Sequence, residues 1–347
     1  MTTTIEQPRS TAGSDFAELA RRINRAGLLT RKPAHYTARI GLVALALTAG
    51  WAAFFLVGSS WWTLAVAAFL AVVFAQVALL AHDLAHRQVF RTGGPSARAG
   101  RVVANLAIGM SYGYWMEKHT KHHANPNHDD LDPDVAPAVL VWSTEAAAAR
   151  RGGFDRWLTR HQAWLFFPLL TLLGLSLRND SIKALWRGTV DKRRGLEAVL
   201  LGTHLLAYFG ALLLVLGPWQ ALAFFAVHQG LFGVYLGMTF APNHKGMPHP
   251  AGDEDFLRKQ VLTSRNVRGG WLTDAALGGL NYQIEHHLFP AMPTPNLRHA
   301  QPIVQRYCEE IGVSYEITGL TESYGIALRH LHEVGAGLRR PARAAQS

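Results

Sequence analysis

The chain has 347 residues, 49% of them apolar, with 34 Lys and Arg against 24 Asp and Glu, a formal net charge of +10 and a mean hydropathy of +0.06. Its single cysteine, Cys308, excludes an internal disulfide and a thiolate-held cluster, so any metal must be held by nitrogen or oxygen, and the 17 histidines make nitrogen the candidate. The positive charge comes with no DNA-binding motif and no basic stretch interleaved with aromatics, which speaks against nucleic acid and for basic loops lying on anionic lipid.

Residues 1–37 are polar and carry Arg9, Arg21, Arg22, Arg25, Arg31 and Lys32 without the apolar core of a secretory signal. They read as a cytoplasmic N-terminal segment whose first residues are disordered. The apolar residues are then bunched into runs: Ile40 to Val57, Trp61 to Ala81, Leu196 to Leu216 and Trp219 to Phe240. Each is near the ~20 residues that cross a bilayer. Only Gly58, Ser59 and Ser60 separate the first two, and only Gly217 and Pro218 the last two, so the runs pair as tight hairpins. A further run, Trp164 to Leu177, is short and contains Pro168, which suits a re-entrant or interfacial helix. The hairpin tips lack Lys and Arg, whereas the other loops carry Arg87, Arg91, Arg98 and Arg101, then Arg150, Arg151 and Arg156, then Lys192, Arg193 and Arg194. The positive-inside rule makes those loops and both termini cytoplasmic, with Trp61, Trp62 and Trp219 as interfacial indoles at the tips.

Three histidine clusters fall on that cytoplasmic side. They are His82-Asp-Leu-Ala-His86, His119-Thr-Lys-His122-His123 and Gln283-Ile-Glu-His286-His287. Residues at i, i+3 and i+4 share one helix face, so each cluster presents imidazoles along one stripe, and neutral imidazole is a good ligand for zinc or iron. Asp83 and Glu285 could accept the far N–H of a ligating histidine, or could simply pair with Arg87 or Lys121. Asp132 and Asp134 suit the turn after the second cluster. His228 precedes His244 by 16 residues on one helix, roughly 24 Å, too far to share a centre. His204 lies within a span as a neutral hydrogen-bonded side chain, and His128 sits in a turn; neither is expected to ligate.

The order HDxxH, HxxHH, QxxHH resembles the three-box signature of the integral-membrane fatty acid desaturases, its QxxHH form being similar to the front-end and acyl-lipid branches. Pro126-Asn127, Asp132-Pro133-Asp134 and Leu288-Phe289-Pro290 match as well, and the resemblance runs from the first span to about Tyr315. It implies an all-α integral membrane fold: four transmembrane helices in two hairpins, with a cytoplasmic helical cap that holds a histidine-rich dimetal site. It implies residues 38–320 as the membrane desaturase domain and 321–347 as a cytoplasmic tail, in the cell inner membrane. The implied metal ligands are His82, His86, His119, His122, His123, His286 and His287 from the boxes, with His244 just past the fourth span. Gln283 stands where other branches have histidine, and either ligates weakly or hydrogen-bonds bound water; Asn243 could help through a water.

The implied reaction removes hydrogens from neighbouring CH₂ groups of a fatty acyl lipid or acyl thioester. Such C–H bonds lie beyond side-chain acids and bases, and zinc has no redox chemistry, so the implied cofactor is a pair of iron ions with O₂ as co-substrate. A tunnel between the spans would position the chain. Tyr112, Tyr114 and Trp115 suit either its wall or interfacial packing. Neither a His-Pro-Gly-Gly haem motif nor cysteines for a cluster occur in the chain, so electrons are expected from a separate ferredoxin-like or cytochrome-b5-type donor with its reductase. The alternatives are a related di-iron lipid hydroxylase or carotenoid oxidase and, with too many histidines for it, a zinc-dependent lipid hydrolase.

Overall fold

The computed structural model describes residues 14–190, 192–250 and 252–339; the expected disorder of the first residues and the end of the expected tail lie outside them. Four helices are long and apolar enough to cross a membrane: Pro33–Val57, Thr63–Ala85, Arg194–Val215 and Pro218–His244. Two outrun their apolar stretches. The second continues from Ala81 to Ala85, and the fourth from Phe240 to His244. The reason is that an apolar run marks where lipid would lie, whereas a helix ends where its hydrogen bonding ends. Both extensions carry histidines into the protein interior.

The second and fourth helices form the centre. The apolar window of the second is 61% buried and that of the fourth 44%, against 17% and 22% for the first and third. The outer helices accordingly expose Leu42, Leu45 and Leu56, and Leu206, Leu213 and Leu214, an apolar surface suited to lipid rather than water. Trp61, Trp62 and Trp219 are exposed at the connections between them.

The doubtful run 164–177 is split. It covers the end of helix Gly153–Leu170 and the start of helix Leu173–Arg187, and neither is a candidate span. Thr171 closes the break by donating its hydroxyl to the Pro168 carbonyl at 2.6 Å. The break lies on the fourth span at Gly233, where a Cβ would stand 2.4 Å from the Leu170 carbonyl oxygen, so only glycine permits this approach.

Beyond the spans lies a polar cap of shorter helices, including Tyr112–Ala124, Phe256–Leu262, Gln283–Leu288 and Thr294–Glu310. The N-terminal segment contains helix Asp15–Arg25, N-capped by Ser14, which buries Leu19 and Ile23 against Leu297, Ala300 and Val304. The expected tail likewise begins as helix Leu320–Val334, with Tyr324 and Leu331 packed against Phe166 and Leu170. The fold also departs from all-α: Asn266–Arg268 and Ile317–Gly319 form a two-stranded parallel ribbon.

Candidate metal centre

The first box closes the second span. Asp83 of this box receives Arg39 at 2.5 Å and the Thr294 hydroxyl at 3.2 Å. Gln88, one turn later, accepts from Tyr36 at 2.7 Å and donates to the Pro290 carbonyl at 2.9 Å. These bonds tie the first box to the chain that follows the third.

The second box rides on helix Tyr112–Ala124, whose N-terminus is fixed by Glu197 of the third span. That carboxylate, fully buried, accepts from the Ser111 hydroxyl at 2.7 Å and the Gly113 amide at 3.0 Å, while its other oxygen meets Arg101 at 3.0 Å. Gly113 has no room for a side chain there, since a Cβ would fall 2.5 Å from Val190. At the other end, Asn127 donates its amide to the carbonyls of His244 (3.0 Å) and Thr263 (3.2 Å). It does so from a left-handed backbone, φ 58°, a conformation asparagine tolerates better than most residues.

The boxes converge as two adjoining sets. His82, His86, His119, His123 and His286 each offer a ring nitrogen within 4.8 Å of the others, and so do His122, His244 and His287. The paired histidines explain the division. Consecutive residues on a helix point about 100° apart, so His122 and His123 send one ring to each set, as do His286 and His287. The sets touch where His123 stacks on His287, 4.3 Å between ring centroids.

In the smaller set each ring is held from behind through Nδ1. His122 meets Asp132 at 2.9 Å, His287 meets the Gln260 side-chain oxygen at 2.8 Å, and His244 meets the Thr263 carbonyl at 3.1 Å. All three acceptors require Nδ1–H, which leaves Nε2 with its lone pair facing inward. In the larger set the Nε2 atoms of His86 and His119 lie 2.8 Å apart, and those of His119 and His123 3.0 Å. Trp115 stacks on His119 at 4.3 Å, so of its two expected roles it has packing, here against a ligand ring.

A cation fits this donor set. The buried nitrogens His82 Nε2, His123 Nδ1, both nitrogens of His286 and His287 Nε2 have no hydrogen-bond partner. Buried polar atoms are rarely left so, and several converging lone pairs call for a shared positive ion. Burial first, then the neighbouring imidazoles, holds His119, His123, His286 and His287 well below the ordinary histidine value. They are therefore neutral and ready to ligate at neutral pH. No sulfur takes part, because Cys308 is buried in an apolar cluster with Ile284 and Leu288.

Asp83 pairs with Arg39 through one oxygen and stands 3.7 Å from His82 Nδ1 with the other, and Glu285 accepts from Tyr315 (2.5 Å) and Asn266 (2.7 Å) rather than from a histidine. Burial raises the Glu285 carboxyl to about 7, against which those two hydrogen bonds work. The acceptor on a box histidine is instead Asp132, which also closes the expected turn by receiving the amides of Asn127 (2.8 Å) and Asp134 (2.9 Å). Burial pushes the Asp134 carboxyl up, but Lys118 at 2.7 Å and His122 outweigh it and hold it low.

Gln283 lies at the smaller set with its amide nitrogen 2.9 Å from His244 Nε2. Its oxygen accepts from Asn243 at 3.1 Å, and Asn243 is itself oriented by donating to the Leu280 carbonyl at 2.7 Å. In this arrangement the Gln283 side chain is engaged by His244 and Asn243 beside the smaller set. Asn243 Oδ1 is buried without a partner, as a water-holding acceptor beside the site would be. His204 donates from Nδ1 to the Leu106 carbonyl (2.9 Å) and His228 meets Tyr208 (2.8 Å), both outside the two sets. Sequence reasoning missed Arg39, Glu197, Gln260 and Thr263, none of which belongs to a spaced motif, and gave no role to Asn127.

The fatty acid desaturase family model matches residues 59–319. The chain belongs to that family. Among its relatives, an acyl-lipid (9-3)-desaturase of Physcomitrium patens is 33% identical over 282 residues, covering 78% of this chain and 53% of the moss protein. Fatty acid desaturase 3 of Bos taurus is 30% identical over 332 residues, 92% of this chain and 73% of the bovine one. The Delta(5) fatty acid desaturase fat-4 of Caenorhabditis elegans is 28% identical over 345 residues, 95% and 76% of the two chains. The chain thus spans about half the length of the moss relative and about three quarters of the animal ones.

Proposed function

We propose that this desaturase introduces a cis double bond into a fatty acyl chain, with O₂ and two electrons from a separate donor, at a pair of histidine-held iron ions. One observation supports this above all: buried and half-buried imidazoles gather into adjoining sets of five and three, and several of their nitrogens are buried without a hydrogen-bond partner. His82, His86, His119, His123 and His286 would hold one ion and His122, His244 and His287 the other, with Gln283 and Asn243 beside the second. Iron bound there would supply the oxidising power that an unactivated C–H bond demands and that no side-chain acid or base has.

The chain's own residues do the positioning. Asp132, Gln260 and the Thr263 carbonyl fix three rings in the tautomer that leaves Nε2 free. Glu197 and Asn127 set the ends of the second-box helix. Burial keeps His119, His123, His286 and His287 unprotonated and excludes bulk water. The spans would wall a tunnel that presents one CH₂–CH₂ unit to the irons. The four spans form two hairpins whose tips point away from the site, within a catalytic domain at 38–320. By the positive-inside rule, the basic loops support a cytoplasmic location, at the inner membrane, for both termini and the site. That basic face would also attract an acidic ferredoxin-like or cytochrome-b5-type carrier served by its reductase, an attraction that weakens with salt.

The moss relative is named for an acyl-lipid substrate, which makes a lipid-borne acyl chain the first to test. The test expresses the full chain in a desaturase-deficient host and analyses total fatty acids by mass spectrometry, beside a His286→Ala, His287→Ala variant. A new unsaturated acid, missing from the variant, is the expected result and locates the double bond. A hydroxylated lipid in its place, or purified protein with one zinc and no iron per chain, overturns the proposal.

A further inference from the structure

A second site lies away from the histidines. A cavity of about 460 Å³ opens between helix Gly93–Arg101 and the entry to the third span, lined by Gly94, Ala97, Arg98, Arg101, Lys192 and Arg193. Four of those six residues are cationic. Gly94 and Ala97 are small, so the cations surround open space instead of filling it.

Among the described residues, charge compensation is incomplete. Arg101 is held by Glu197 through Nε and by the Ala97 carbonyl through Nη1. Among the described residues, Arg98, Lys192 and Arg193 are exposed and have no carboxylate partner. Glu197 is the carboxylate behind the cavity; it is fully buried and already occupied by Arg101, Ser111 and Gly113. Arg193 also adopts a left-handed backbone, φ 60°, as the residue that starts the third span. Non-glycine residues avoid that region, and such strain persists where a site requires it.

Position decides the ligand class. Helix Arg194–Val215 is apolar enough to cross a membrane and begins at the cavity, so the cations sit at the level where phospholipid headgroups lie. Basic pockets at the ends of spans are suited to such headgroups, and guanidinium groups match phosphate by paired N–H donors. We propose that this cavity binds the phosphate of a membrane phospholipid headgroup. Arg101 belongs both to the cavity and to the Glu197 cluster that caps the second-box helix, so the bound headgroup sits one side chain away from the element that carries His119, His122 and His123. The inference requires no turnover and stands independently of the metal centre.

The test uses the purified full chain in mild detergent, offered phosphatidylcholine and phosphatidylglycerol in equal amounts, with retained lipid read by native mass spectrometry. Wild-type protein is expected to retain phosphatidylglycerol selectively. The R98Q/K192Q/R193Q variant should lose that retention by about tenfold or more, as removal of several interfacial cations implies. An R151Q/R156Q/R187Q control removes the same charge elsewhere and should retain lipid normally. Equal loss in both variants would mean diffuse surface charge and overturn the site. Coenzyme A is offered as a soluble phosphate probe. Its retention by wild type but not by the cavity variant, with phospholipid never held, would replace the lipid source with a thioester carrier. Loss of coupling to an acidic electron carrier with lipid retention unchanged would make the cavity a protein dock. Should the triple variant fail to fold, phosphatidylglycerol selectivity of the wild type that inorganic phosphate competes away keeps the proposal in force, and absence of that selectivity ends it.

Discussion

Asp132→Asn should empty the smaller histidine set and spare the larger. The carboxylate accepts three donors at once: His122 Nδ1 at 2.9 Å, the Asn127 amide at 2.8 Å and the Asp134 amide at 2.9 Å. An asparagine side chain has one oxygen, so its NH₂ must face at least one of these N–H groups. If it faces His122, the ring loses the acceptor that fixes its tautomer, and Nε2 no longer presents a lone pair inward. A hydrogen bond to a charged group contributes about 1.5–3 kcal/mol. Loss of such a partner behind a ligating histidine costs roughly 10–100-fold in metal affinity, and the two figures agree. The effect belongs to His122, His244 and His287, because the rings of the larger set do not contact Asp132. Iron measured per chain after equilibration with a competing chelator should fall from two toward one, with acyl desaturation lost. Asp134→Asn is the comparison: Asp134 stands 3.6 Å from His122 and is satisfied by Lys118 at 2.7 Å. It should keep more metal than Asp132→Asn. Full metal in Asp132→Asn, or greater loss in Asp134→Asn, would refute the assignment of Asp132 as the residue that orients His122.

Glu197→Gln leaves Arg101 charged, only 12% exposed and without its anion, which costs about 3–5 kcal/mol for a broken buried pair; thermal unfolding should occur at distinctly lower temperature, and adding Arg101→Gln should restore part of it. If the single variant melts like wild type, Glu197 does not fix the second-box helix. Asn127→Ala removes the donor from the His244 and Thr263 carbonyls and keeps the left-handed backbone, so a loss of about 2–4 kcal/mol is expected. Asn127→Gly should lose less, since glycine relieves the backbone term, and a denaturant titration separates the two. Finally, the lowered values of His119, His123, His286 and His287 mean that the folded chain binds fewer protons than the unfolded one below the ordinary histidine value. Stability of metal-depleted protein should be level above about pH 7 and fall progressively as pH drops below about 6.5. A melting temperature that rises on acidification would contradict neutral buried imidazoles.

What was legible in the sequence depended on regular spacing. The four spans are continuous apolar runs, and lipid selects on average composition, so no partner had to be known. The box histidines stand at helical intervals, which brings them to one side of their helices, while the adjacent pairs divide between the two sets. The helix Leu320–Val334 also had a signal: Tyr324, Ala327, Leu331 and Val334 recur at three and four residues and are the buried ones. It was hidden by being read as the remainder of a chain whose last motif lay well upstream.

The rest was illegible because it consists of single polar residues that act over long distances. Asp83 finds Arg39 across 44 positions, Glu197 finds Gly113 across 84, and Asn127 finds His244 across 117. None of these pairs produces a periodicity, because each joins elements far apart in the chain. The step of about 100° between consecutive helix residues decides what the paired histidines do. Read as a motif, His122-His123 looks like two ligands for one ion. Read as a helix, it must send its rings in different directions, and His286-His287 must do the same. Two such pairs facing each other cannot close around a single centre. They form a shared wall between two, which is why changing either pair should impair both metal sites together.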